Sequence, residues 1–130
     1  MLKYDFSRLR LALIDEVGEL IHKLKGDWCW WKKTQVLVDR TKVLEKLVDV
    51  WHFALSINNH LKSYCSDDVL ENEYYKDQDL DITICTLISS NGSYYPLVAL
   101  TRKLDFTIKE IYNAYIDKNK VNYERIANGY

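Results

Sequence analysis

The chain has 130 residues, 48 % of them apolar and 28 % charged, with a formal net charge of −1. That length fits one domain with a packed core, and the near-neutral balance supplies no basic field for a nucleic-acid polymer. No apolar run approaches the ~18 residues of a membrane helix, residues 1–10 lack the apolar stretch of a secretory leader, and three cysteines without zinc spacing fit reduced thiols, so the expected compartment is the cytoplasm.

Only four glycines and one proline punctuate the chain, which predicts long helices rather than strands and turns. A first helix is expected over about residues 7–25, where Leu9, Leu13, Val17, Leu20 and Leu24 recur at three- and four-residue steps. Gly26 follows, where a left-handed residue closing a helix is expected. Residues 27–40 read as a connection rich in Trp and Lys, with Asp39 or Thr41 capping the next helix.

That second helix, about residues 41–62, is apolar over more than half its circumference, so it is expected to be buried on several sides. Residues 66–81 read as an acidic loop, and residues 80–90 as a short helix, although 81–88 would pass for a strand by composition. Asn91-Gly92-Ser93 is a turn signal, and a further helix begins near Pro96. Thr107 and Glu110 fit a capping box that opens a helix through Ile108, Ile111, Tyr112 and Tyr115. The tail, residues 118–130, is polar with a weaker helical pattern ending at Gly129. The sum is an all-α bundle of four to five helices forming a single domain over residues 1–130.

Glu16 and Glu19, three apart, are neighbours on the first helix, and Glu16 lies within about 40° of Leu20, so the pair borders the apolar face. Glu45 and Asp49, four apart, share a side of the second helix, and His52 and Ser56 continue that stripe. If the two helices pack antiparallel, the pairs face each other. Close carboxylates repel, and a hard divalent cation such as Mg²⁺ resolves the repulsion while keeping positions open for phosphate. Such a centre clamps a polyphosphate and activates water for in-line attack. Taken singly, each pair also fits an ordinary solvated helix face.

Trp28, Trp30 and Trp31 stand beside Lys32 and Lys33. They fit a lid in which indoles stack on a base and lysines meet phosphate, or equally a plug at a bundle end or a subunit interface. In the tail, Lys118, Asn119, Asn122 and Arg125 recur with helical spacing. Lys and Arg are phosphate ligands and Asn can read a base or sugar, but a polar helix end has the same appearance. His52 fits a satisfied core residue as well as a ligand contact. Cys29 has no partner that would give it chemistry.

The segments LIDEVGEL, DWCWWKK, EKLVDVWHFALS and LDFTIKEIYNAYIDKNKVNYERIANGY resemble the dimeric all-α dUTP diphosphatases, within the MazG-like all-α nucleotide pyrophosphatase superfamily. The likeness covers about residues 11–56 and 104–130. It implies hydrolysis of dUTP to dUMP and pyrophosphate, with Mg²⁺ held by Glu16, Glu19 and Asp49, which would also carry the catalysis. It implies contacts from His52 and Phe53 to uracil, and from Lys118, Asn122 and Arg125 to sugar and phosphates. Trp30 and Lys33 represent the aromatic-basic loop among the expected substrate contacts. It further implies a homodimer whose active sites draw on both subunits.

Three departures stand out. The position three before Asp49 is Lys46, where the family has an acid; either Glu45, one residue earlier, substitutes as a ligand or one metal position is lost. The usual Arg-Gln of the tail reads Arg125-Ile126. The further N-terminal helix of the family is expected to be largely missing, since the ExxE pair begins at residue 16. Two other functions fit the same motifs: a pyrophosphatase of broader nucleotide range, and a catalytically impaired homologue that binds nucleotide or a protein partner.

Overall fold

A computed structural model describes residues 6–34, 36–71, 73 and 76–129; the side chain of Asn122 and the whole of Tyr130 lie outside the described residues. Within them every regular element is a helix: α1 (Phe6–Lys23), α2 (Lys25–Trp28), α3 (Arg40–His60), α4 (Asp67–Glu71), α5 (Leu80–Ser89), α6 (Tyr94–Lys103) and α7 (Ile108–Ala127). α1, α3, α5, α6 and α7 are the long members, in keeping with the expected all-α bundle.

The apolar spacing of α1 buries Leu9, Leu13, Val17 and Leu20 against α3. α3 starts at Asp39, whose carboxylate accepts from Thr41 N at 3.0 Å and Lys42 N at 3.4 Å, satisfying donors that a helix start otherwise leaves orphaned. It is the central helix, packed against α1, α6 and α7, with Leu47, Val50, Ala54 and Ile57 fully enclosed. Two buried polar contacts fix its neighbours. Trp51 Nε1 donates to Thr101 Oγ1 at 2.9 Å, joining α3 to α6. Asn58 Nδ2 donates to Gly92 O at 2.9 Å, anchoring the α5–α6 turn. In that turn Asn91 and Gly92 take φ of 57° and 84°, and a side chain on Gly92 would press on Leu13 and Ala54 at 3.1 Å.

The structure departs from the sequence expectations at three places. Gly26 is not a left-handed cap but part of α2. A Cβ there would lie 2.3 Å from Val36 O, so glycine is needed for the close return of the chain. The acidic segment expected as a loop contains α4, which buries Val69 and packs on α6. The polar tail is the continuation of α7, which runs unbroken from the capping box of Thr107 and Glu110 to Ala127.

α7 is directed by its start. The Arg40 guanidinium lies 4.1 Å from the Phe106 ring centroid and donates to the carbonyls of Leu104 and Asp105. The first residue of α3 thereby holds the turn from which α7 departs, and α7 then runs along α3.

Candidate functional site

The packing of α1 and α7 on α3 gathers acidic and basic side chains from all three helices. Glu16 and Glu19 come from α1, Glu45, Lys46 and Asp49 from α3, and Lys118 and Arg125 from α7. Lys46 Nζ lies 2.7 Å from Glu19 Oε2 and 3.9 Å from Asp49 Oδ2. On the other side of Asp49, Oδ1 contacts Lys118 Nζ. The carboxylates expected from two helices therefore do converge, and two ammonium groups sit among them.

Each group's protonation follows from these neighbours. Burial pushes the Glu16 carboxyl above the ordinary carboxylate range, and the adjacent Glu19 charge adds to that. Glu19 is held below the range, first by its hydrogen bond from Lys46. Lys46 is raised, first by the same bond. Burial lowers Lys118, against the attraction of Glu16, Glu45 and Glu19 around it. Contact with the Asp49 carboxylate favours its charged form at neutral pH.

These donors suit a hard divalent cation. Asp15, Glu16 and Glu19 each offer one carboxylate oxygen, all within 4.8 Å of one another. Among the described residues Glu16 Oε2 is buried without a hydrogen-bond partner, an orphaned acceptor that a cation would satisfy. Asp15 had no place in the sequence expectations: it lies about 100° round the helix from Glu16, so helical spacing gave no reason to group them. Glu45 lines the cleft between α3 and α7.

That cleft has a volume of about 460 Å³, with Glu45, Lys46, Asp49, Lys118 and Arg125 on its walls and Leu44, Ala114 and Val121 at its apolar side. A smaller hollow of about 80 Å³ continues from it past Asp49 to His52, Tyr115, Lys118 and Asn119. The His52 ring stacks on Tyr115 with centroids 5.9 Å apart, and Nδ1 and the Tyr115 hydroxyl are 3.4 Å apart. Phe53, half-buried, meets His52 edge-on at 5.1 Å. Tyr115 went unassigned in the sequence, although its place one turn before Lys118 puts both on one side of α7.

Trp30 and Lys33 are not brought to this cluster within the chain. Trp28, Trp30 and Trp31 form edge-to-face pairs at 5.7 Å and line a separate, largely apolar cavity of about 680 Å³ with Ile21, Leu80, Ile84 and Cys85. Ile21 is about 140° round α1 from Glu16 and about 160° from Glu19, so the two sites use different sides of one helix. Trp28 partly plugs the bundle, its Nε1 donating to Ile21 O at 2.8 Å, whereas Trp30 is 85 % exposed and Lys33 lies exposed on the same loop. Cys29 is buried, and none of the three cysteines is in a disulfide. No helix among the described residues is long and apolar enough to cross a membrane.

A protein-family model described as dUTPase matches residues 2–130. No curated protein matches the chain, and no solved structure does.

Proposed function

The chain belongs to the all-α dUTPase family, and from that premise we propose that it hydrolyses dUTP to dUMP and pyrophosphate at the α1–α3–α7 cluster with the help of Mg²⁺. The family supports a nucleotide pyrophosphohydrolase acting on a nucleoside triphosphate. The preference for uracil and the choice of Mg²⁺ extend that reading.

The observation that carries the proposal is the meeting of Glu16, Glu19 and Asp49 around ammonium groups at the edge of a cleft wide enough for a nucleotide. Glu16 and Glu19, with Asp15 beside them, are the residues that would hold Mg²⁺, while Asp49 faces the Lys46 and Lys118 ammonium groups. When bound, the ion would withdraw charge from the phosphates and favour attack by water. Lys118 and Arg125 bind the phosphates from α7, a pairing of cations with phosphoryl oxygens that strengthens as charge builds in the transition state. Water adds to phosphorus and pyrophosphate leaves, so one water proton must be accepted. Glu16, with a raised pKa and an unpartnered oxygen, suits that task. His52 and Phe53, with Tyr115 behind His52, form an aromatic wall for the base.

Trp30 and Lys33 would join the substrate through a second copy of the chain. Leu11 and Ile14 on α1 and Tyr112, Ile116 and Tyr123 on α7 are exposed apolar side chains, a surface that a homodimer would cover.

The test is pyrophosphate release from dUTP, dTTP, dCTP and UTP, with and without Mg²⁺. Release from dUTP at least about tenfold faster than from the others, and abolished by chelation, is expected. Equal rates across the panel would remove the uracil preference and leave the chemistry. No release from any nucleotide would remove the hydrolytic function.

A further inference from the structure

Lys46 is the basic residue deepest in the acid cluster. Its side chain is 28 % exposed, and its Nζ bridges Glu19 of α1, at 2.7 Å, and Asp49 of α3, at 3.9 Å. A cation that links carboxylates from two helices occupies the place a bridging divalent ion would take. Both oxygens of Asp49 face ammonium groups, Oδ2 toward Lys46 and Oδ1 toward Lys118. An ion arriving beside Asp49 would therefore meet two positive charges. On the opposite flank the situation reverses. Glu16 Oε2 is buried with no hydrogen-bond partner among the described residues, and one carboxylate oxygen each of Asp15, Glu16 and Glu19 lies within 4.8 Å of the others.

We propose that the Lys46 ammonium is a tethered cation that substitutes for one divalent ion, so that the site takes a single divalent ion, on the α1 flank, and grips the polyphosphate between that ion and the Lys46 and Lys118 ammonium groups. This rests on the assignment of the cluster to nucleotide hydrolysis and specifies its cation requirement. A covalently held charge cannot dissociate, so one of the positive charges facing the substrate is independent of free Mg²⁺. Activity then rises with the first power of Mg²⁺ concentration at low occupancy, beyond what the Mg²⁺–nucleotide complex itself contributes.

The experiment counts Mn²⁺ bound to the full chain, with no nucleotide present, by titration followed with electron paramagnetic resonance. One Mn²⁺ per chain is expected for the wild type and two for Lys46→Glu, which turns the bridging ammonium into a ligand. Two Mn²⁺ on the wild type overturn the proposal, as does none, or a count that stays the same in a Lys46→Glu chain whose circular dichroism is unchanged. Should Lys46→Glu fail to fold, Lys46→Met decides. Loss of the nearby positive charge should tighten the single Mn²⁺ site by about tenfold, and an unchanged Kd overturns the proposal. The readout needs no turnover. One Mn²⁺ on the wild type without pyrophosphate release from any nucleotide would sink the hydrolytic function and leave the role of Lys46 standing. Pyrophosphate release with two Mn²⁺ bound would do the reverse.

Discussion

Two concave regions of the molecule differ in almost everything. The cleft beside α3 and α7 is walled by Glu45, Lys46, Asp49, Lys118 and Arg125, and its acids neighbour Glu19 across Lys46. The cavity beside α2 and α5 is walled by three Trp, Leu80 and Ile84, with Asp27 and Asp81 as its acids. The first has opposite charges in contact, with Lys46 raised by its hydrogen bond to Glu19 and Lys118 lowered by burial. The second has indoles packed edge to face and an apolar wall. Carboxylates and ammonium groups held at helical spacing on rigid elements suit phosphate and metal chemistry. Exposed indoles on a connection suit a flat apolar partner, whether a base or a second subunit. Volume alone would point to the other region: the apolar cavity is the larger, and the proposed chemistry lies beside the smaller cleft.

Substitutions that attack this division are ordered by expected size. Glu16→Gln keeps the shape of the side chain but removes a ligand charge and the unpartnered carboxylate. It should lower kcat/KM for dUTP by about a hundredfold or more, with the fold intact by circular dichroism. A loss under about threefold would place the chemistry elsewhere. Lys118→Met removes a cation from the cleft and leaves Asp49 with Lys46 alone. A fall of about tenfold in kcat/KM is expected, checked by steady-state kinetics with dUTP. An unchanged value would mean that α7 does not reach the phosphates.

Acid offers a gentler probe of the same cluster. The Glu16 carboxyl is raised above its ordinary value of 4.5, so an incoming cation must displace its proton before the ordinary carboxylates are reached. Divalent-ion affinity should therefore fall as pH drops, starting above the usual carboxylate range, by at most about tenfold per pH unit for one proton. Glu19, held low by Lys46, stays ionised further down, and the stability its ionised form contributes is lost only as pH falls through that lowered value. Calorimetric titration with Mn²⁺ in buffers of different ionisation enthalpy measures the proton released. No release near neutral and mildly acid pH would contradict the raised Glu16. The smallest effect belongs to the other region. Trp30→Ala should leave Mn²⁺ affinity within about twofold while raising KM for the nucleotide by several-fold, since a lost stacking contact is worth about 1–3 kcal/mol. A change in metal affinity would show that the two regions are not separable.

Much of this architecture was legible from spacing. The Leu9–Leu20 series, the Asp39 cap, the Asn91-Gly92 turn and the Thr107–Glu110 box all act locally, and the structure keeps each of them. What escaped depends on distant parts of the chain. Gly26 looked like a helix stop, but its reason is Val36, ten residues on, returning against it. α7 looked weak beyond Lys118 because Val121, Tyr123 and Ile126 point outward, so no single apolar stripe marks the helix. Spacing pairs the carboxylates within each helix, yet the bridge from Lys46 to Glu19 requires α1 to lie on α3, which no local pattern encodes. The Trp-rich connection was expected at the same site. The path of the chain through α2 carries it to the other side of α1.

The central claim is that acids of α1 and α3 form a cation-binding, phosphate-facing centre. Its most direct measurement is anomalous diffraction from crystals soaked in Mn²⁺. The prediction is one peak per chain within coordination distance of Glu16 and Glu19, on the side away from Lys46. Density for Mn²⁺ only at other places on the surface, or at none, would contradict it.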